Sequence, residues 1–145
     1  NMAYRFRYIR THQVLLIRHF GDYEGADNLT AIEMAAQKLS VAERATMDRF
    51  GFDFCDVSSA TMQNTDGAYR RFMFRRLKKL YPEYERKKVF RLLDPSNRAT
   101  EELLERYKVF VAGKLRLVEQ DMFLYEKEAY LRELGLPPDF DLALH

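Results

Sequence analysis

Residues 99–134 read ATEELLERYKVFVAGKLRLVEQDMFLYEKEAYLREL, and this stretch decides the expected fold. Apolar side chains recur in it every seven residues, and a second apolar row runs beside the first. That spacing predicts one long helix from about Ala99 to Leu134. Gly135 suits the C-terminal cap of such a helix, and Pro137 and Pro138 prevent its continuation into residues 136–145, which we expect to form a loose tail. The first row is Leu103, Phe110, Leu117, Leu124 and Leu131, and the second is Leu104, Val111, Val118 and Tyr125.

The two apolar rows make the predicted helix too wide to be covered from one side. Lys114, Asp121 and Glu128 lie between the rows, which favours two separate contact surfaces. One surface would pack on the chain's own domain and the other on a second copy, so a homodimer is one interpretation. The alternative is a central helix inside an intramolecular bundle. The residues predicted for the dimer interface are Phe110, Leu117, Leu124 and Leu131.

Upstream of this helix the sequence predicts a body of short helices. Aromatic and basic side chains alternate over Tyr4 to Arg10, which predicts a short N-terminal strand, whereas Val14 to Phe20 fits either a strand or a helix. Ser40 and Glu43 have the spacing of a capping box, which predicts the start of a helix that ends at Gly51. The further predicted elements are a loop over 21–28, helices over 29–39, 57–63, 68–80 and 82–94, and a turn over 64–67.

Together these elements predict an all-α fold, an irregular helical bundle in a single domain over residues 1–145. The body of short helices would occupy residues 2–95, and the long helix residues 98–135. The chain has 145 residues, of which 47% are hydrophobic and 32% charged. That length and composition allow a buried core without disulfides or structural metals.

Composition also limits the setting and the chemistry. The single cysteine, Cys55, cannot form an intramolecular disulfide, which favours a reducing compartment, and we expect a cytoplasmic protein. The longest apolar stretch, Val14 to Ile17, is far shorter than the roughly 20 residues that span a bilayer, so no membrane partner is expected. Three histidines and one cysteine offer no pair at metal-ligand spacing, and no nucleotide-binding fingerprint occurs. We therefore expect neither a metal nor a cofactor.

Positive charge is concentrated between Arg70 and Arg91. This segment holds ten basic and two acidic residues, an excess of eight charges, whereas the whole chain carries only +2. At 100° per residue, a helix over 68–81 places Tyr69, Phe72, Met73, Leu77 and Leu80 in one arc and basic side chains in the opposite arc. Such a helix suits phosphate contact. The residues predicted to bind nucleic acid are Arg70, Arg71, Arg75, Arg76, Lys78 and Lys79.

The predicted elements from Val41 to Leu80 resemble a helix-turn-helix, with the basic helix in the recognition position. The resemblance covers about 40 residues, and its middle element, around Val57, is poor in apolar anchors. It implies a non-enzymatic nucleic-acid-binding protein, of which a transcriptional regulator is one form, with DNA favoured over RNA.

Other interpretations of the same residues stay open. The basic face could pair with the chain's own 22–66 segment, whose charge is −6, or dock on an acidic protein, which would make the chain an adaptor or assembly subunit. Arg7 and His12 have a spacing found in some helical ribonucleases, and His12 or His19 could activate Cys55. Neither pair forms a complete catalytic set, so the residues favour a protein that is not an enzyme.

Overall fold

The protein has an α/β fold in a computed structural model that describes residues 4–61, 67–104 and 118–143. The predicted all-α helical bundle is therefore wrong. Within those residues five strands form one mixed sheet, with helices between the parallel strands. The strands are β1 (Tyr4–Ile9), β2 (Val14–Glu24), β3 (Arg49–Thr61), β4 (Lys88–Leu93) and β5 (Val118–Phe123). The helices are α1 (Gly25–Lys38), α2 (Val41–Thr46), α3 (Gly67–Leu80), α4, described over 99–104, and α5 (Lys127–Glu133).

The strands lie in the sheet in the order in which they occur in the chain. β1 and β2 form an antiparallel hairpin in which Ile9 pairs with Val14, and every later neighbour is parallel. Each crossover leads to the next strand in the same direction, and crossovers of this kind are right-handed. Their helices must therefore share one face of the sheet, as α1, α3 and α4 do.

Both faces of the sheet are covered. Leu15 and Ile17 of β2 pack in the first core, together with residues of α1, α3 and α4, while Val14 and Leu16 pack in the second. All four side chains are at most 4% exposed. A strand buried on both faces reads as a continuous apolar run rather than an alternating one, which is why the sequence left Val14 to Phe20 undecided.

The predicted helix over 99–134 is wrong, because residues 118–123 form β5 at the edge of the sheet. Arg91 of β4 holds this strand through two hydrogen bonds to Asp121, Nε to Oδ1 at 2.5 Å and Nη2 to Oδ2 at 3.0 Å. The helical part that follows is the short α5. Residues 136–143 are not a loose tail, because Leu136 and Leu142 are buried in the second core.

The helix-turn-helix prediction is also wrong, because residues 49–61 form β3. α2 ends at Thr46 instead of near Gly51, and the helix predicted around Val57 is part of the strand. β4 likewise replaces most of the helix predicted over 82–94, after a 3-10 turn at Tyr84–Arg86. β4 is an interior parallel strand whose apolar residues serve both cores, so it lacks the period-two signal of a half-exposed strand. In β3, by contrast, Phe50, Phe52 and Phe54 alternate along the chain and all pack in the first core, a period-two signal that the helical prediction did not use.

Several local predictions are confirmed. β1 forms over Tyr4–Ile9, and the capping box of α2 is present, with Glu43 N donating to Ser40 Oγ and Ser40 N to Glu43 Oε1. Gly135 caps α5 with a φ of 73°. Its own N–H donates to Arg132 O, and the next N–H, of Leu136, donates to Leu131 O at 2.8 Å. These two bonds are the Schellman pattern that a glycine makes accessible.

Candidate nucleic-acid interface

α3 forms where the sequence predicts a basic helix, over Gly67–Leu80. Its inner face is apolar: Leu77 is 1% exposed, and Met73 and Leu80 pack against the first core. Nine of its fourteen residues are Arg, Lys, Leu or Met, which lose little side-chain entropy in a helix. The helix is thus anchored on the sheet by one side and presents the other to solvent.

Two contacts with α1 and one with α2 fix the orientation of α3. Just after the helix, Tyr81 is fully buried and its hydroxyl donates to Ile32 O at 2.8 Å. Arg76 Nε lies 2.8 Å from Glu33 Oε1. The guanidinium of Arg44 donates to Leu80 O, which satisfies one of the carbonyls left free at the helix end.

The outer side of α3 carries four exposed cations, Arg71, Arg75, Lys78 and Lys79, here called the cationic face. At 100° per residue they fall within an arc of about 100°. Among residues 4–61, 67–104 and 118–143, no carboxylate oxygen lies within 4.0 Å of these four side chains. The Nζ atom of Lys78 lies 5.5 Å from the ring centroid of Phe74. Within the described residues, nothing neutralises the cationic face, so an anionic partner can reach it.

The other two residues predicted to bind nucleic acid are not counted in this face. Arg76 pairs with Glu33, so the predicted pairing with the 22–66 segment does occur, at this residue. Arg70 lies in α3, but its side chain is outside what the structure describes.

Three further cations of the basic segment have partners within the chain. Arg91 pairs with Asp121, where both side chains are only 11% exposed, and Arg86 lies 3.5 Å from Glu83. Lys87 is buried, and its Nζ donates to the carbonyl oxygens of Ala45 and Met47 at the end of α2. Burial lowers the pKa of Lys87. Among the described side chains, the charge excess is thus divided between cations with partners in the chain and exposed cations, which include the cationic face.

Phe72 departs from its predicted place in the apolar arc. Its side chain is 52% exposed, although an average core position would cover a phenylalanine almost completely. It lies on the flank of the cationic face, with Arg75 and Arg76 one turn further along the helix. By contrast, Phe74 is half-buried, and its ring packs on Tyr84 with centroids 6.0 Å apart. The helical pattern was therefore wrong in placing Phe72 among the buried residues of α3.

A groove of about 230 Å³ lies beside this flank, between α1 and α3. Its lining is Glu33, Ala36, Gln37, Arg44, Arg76 and Leu80. The sequence held no signal for it, because its walls come from three helices that only the fold brings together.

Of the residues predicted for a dimer interface, the two that the structure describes, Leu124 and Leu131, do not share a helix. Phe110 and Leu117 lie outside the described residues. Leu124 is in a 3-10 turn and 41% exposed, whereas Leu131 is fully buried in α5 against the sheet. The seven-residue recurrence therefore crosses a strand and two kinds of helix.

A second polar pocket of about 240 Å³ lies on the opposite face of the sheet, beside α5. Arg18 pairs there with Asp56 and lies 3.9 Å from Asp53. Burial raises the pKa of the Asp53 carboxyl, and burial raises the pKa of the Cys55 thiol far above neutrality. A thiol that stays protonated is a poor nucleophile. The pocket therefore does not supply the activated cysteine that the sequence left open.

The histidines do not complete that site either. His19 stacks on Phe54 in the first core, whereas Cys55 packs against the second core on the other face of the sheet. His12 is exposed in the β1–β2 turn, where its Nδ1 contacts Thr11 Oγ1 at 2.9 Å. The guanidinium of Arg7 lies 5.3 Å from the ring centroid of Phe140. Each side chain thus has a structural contact of its own.

Two comparisons with known proteins found no match. No model of a known protein family matches the chain, and no curated protein is similar to it in sequence.

Over the ranges that the structure describes, no helix is both long and apolar enough to cross a membrane. In the same ranges, no cluster of three or more His, Cys, Asp or Glu residues could hold a metal ion. Function is therefore inferred from the geometry above.

Proposed function

We propose that the protein is a non-enzymatic nucleic-acid-binding protein that holds phosphates on the cationic face of α3. The observation that carries the proposal is the group of four exposed cations, Arg71, Arg75, Lys78 and Lys79, without a carboxylate within 4.0 Å among the described residues. Each guanidinium can bond two phosphate oxygens at once, and each ammonium acts as a point charge.

The rigidity of α3 supports this function. Leu77 and Tyr81 anchor the helix in the first core, and the Arg76–Glu33 pair fixes it against α1. The cations are therefore held apart before a ligand arrives, which lowers the entropy lost on binding. From Arg71 to Lys79 the helix rises by about 12 Å, at 1.5 Å per residue. With about 3.4 Å between phosphates along one strand, the cationic face spans roughly four nucleotides.

Salt dependence is the direct test, because phosphate contacts release counterions. Four contacts predict a slope of log K against log salt of about −3 for single strands and about −4 for a duplex. Fluorescence anisotropy with labelled 20-nucleotide DNA and RNA, single-stranded and duplex, measures this slope between 25 and 200 mM salt. The double variant Arg71→Gln with Arg75→Gln should halve it.

Arg132→Gln is the matched control, because Arg132 is exposed on α5, which packs on the other face of the sheet. This variant should bind like the wild type. Absence of binding at 25 mM salt, or an unchanged slope in the double variant, would refute the proposed function.

An acidic protein is the second candidate partner, and the exposed Phe72 is the observation that favours it. Aromatic residues and arginine are enriched in protein interfaces. Competition separates the two candidates. If poly-glutamate displaces the labelled oligonucleotide no better than its charge predicts, the result supports nucleic acid as the partner. If the protein binds poly-glutamate tightly and the oligonucleotide weakly, the result supports an acidic protein.

A further inference from the structure

We infer, on the basis of the proposed function, that the nucleic acid is single-stranded and that one unpaired base stacks on Phe72. The side chain of Phe72 is 52% exposed, whereas the other large apolar residues of α3 are covered to a greater degree. An exposed ring beside cations is the combination that proteins use to bind single strands, with cations on the backbone and aromatic faces on the bases.

The charges around Phe72 are divided in a way that suits one nucleotide. On one side of the ring lies the cationic face, whose cations have no carboxylate within 4.0 Å in the described ranges, and Arg75 of this face is one turn away. On the other side lies Arg76, whose charge is already matched by Glu33. A phosphate is therefore drawn to Arg75 and Lys79, and the flank at Phe72 is left for an uncharged group. A base attached to that phosphate meets this description.

A duplex cannot use the ring in this way. Its bases are paired and stacked inside the helix, so their faces are covered, whereas the bases of a single strand can be turned outward and stacked on an aromatic side chain. At 100° per residue, Phe72 lies about 70° from the middle of the cationic face, so its ring would sit beside the phosphate contacts. The exposed ring thus selects for unpaired bases.

The test compares Phe72→Ala with the wild type on dT20, rU20 and a 20-base-pair duplex by fluorescence anisotropy. Loss of one stacked base should weaken binding to both single strands by about 5- to 150-fold. Because stacking releases no counterions, the salt slope should stay unchanged, in contrast to Arg71→Gln with Arg75→Gln. Phe72→Tyr keeps a stacking face and should bind nearly as the wild type does.

Tyr125→Ala is the matched control, since Tyr125 is a 75% exposed aromatic side chain between β5 and α5. It should bind all three ligands as the wild type does. Far-UV circular dichroism checks the fold of each variant. If Phe72→Ala unfolds, Phe72→Leu keeps the apolar bulk without the ring and is expected to show the same loss on single strands.

The outcomes separate the inference from the proposed function. If the wild type binds and Phe72→Ala or Phe72→Leu binds equally well, stacking is refuted. Phosphate binding by the cationic face would then still stand. An equal loss on the duplex and on dT20 also refutes stacking on an unpaired base. If the wild type binds none of the three ligands, the proposed function itself fails.

Discussion

His19 makes the stability of the fold depend on pH below neutrality. The side chain is fully buried in the first core, between Tyr23 and Phe54, and its ring stacks on Phe54 with centroids 5.0 Å apart. Nε2 donates to Asn28 Oδ1 at 3.1 Å, while Nδ1 has no hydrogen-bond partner among the described residues. A proton added at Nδ1 would be buried without an acceptor. Burial accordingly lowers the pKa of His19 from 6.5 to about 4.

The sign of the effect follows from which state binds the proton. Above pH 6.5 His19 is neutral in both the folded and the unfolded chain, so its contribution to stability is complete. Between 6.5 and about 4 only the unfolded chain is protonated, so the free energy of unfolding falls as the pH falls. The difference between the two pKa values corresponds to a total loss of about 3 kcal/mol, of which about 2 kcal/mol has occurred at pH 5.

Urea denaturation at pH 7.5 and pH 5, followed by far-UV circular dichroism, measures this loss. The chain has no Trp, so tryptophan fluorescence offers no probe of unfolding. His19→Gln keeps an amide donor for Asn28 but has no titrating ring, and carboxylates common to both proteins cancel in the comparison. We expect the variant to lose about 2 kcal/mol less than the wild type between the two pH values.

His12→Gln serves as the control, because the ring of His12 is exposed in the β1–β2 turn, outside both cores. This variant should lose as much stability as the wild type. If His19→Gln and the wild type lose equal stability on going to pH 5, the assignment of His19 as a buried neutral ring is incorrect.

Three further substitutions test the packing by urea denaturation at neutral pH. Gly51→Ala should cost about 1–3 kcal/mol, because a Cβ there would lie 2.7 Å from the Tyr130 hydroxyl, so a stability equal to the wild type would contradict the packing. Tyr81→Phe removes the hydrogen bond to Ile32 and should cost about 1 kcal/mol, and no loss would mean that the bond is absent. Arg91→Gln leaves Asp121 nearly buried and unpaired, at a cost of about 3 kcal/mol, and adding Asp121→Asn should restore part of that loss if the pair exists.

Parts of the candidate site could be predicted from the sequence. The spacing of Met73 and Leu77 set the inner face of α3, and the cations at 71, 75, 78 and 79 necessarily fell on the outer face. Whether a given cation was free could not be predicted. Arg76 is paired because α1 brings Glu33 alongside, and Phe72 is exposed because no element covers that flank among the described residues.

The sequence alone determined features that depend on residues close together in the chain. These features are the capping box at Ser40 and Glu43, the alternation of β1, the amphipathic α3 and the glycine cap at Gly135. Each depends on backbone and side-chain groups that are near one another in any conformation of the segment. Only the tertiary structure decided that 88–93 and 118–123 are strands, whereas the alternation of Phe50, Phe52 and Phe54 in 49–61 was already present in the sequence. A parallel strand makes no hydrogen bonds within itself, and its partners lie 30 or more residues away, as Arg91 and Asp121 do. The same apolar residues fit a helix until the sheet supplies those partners.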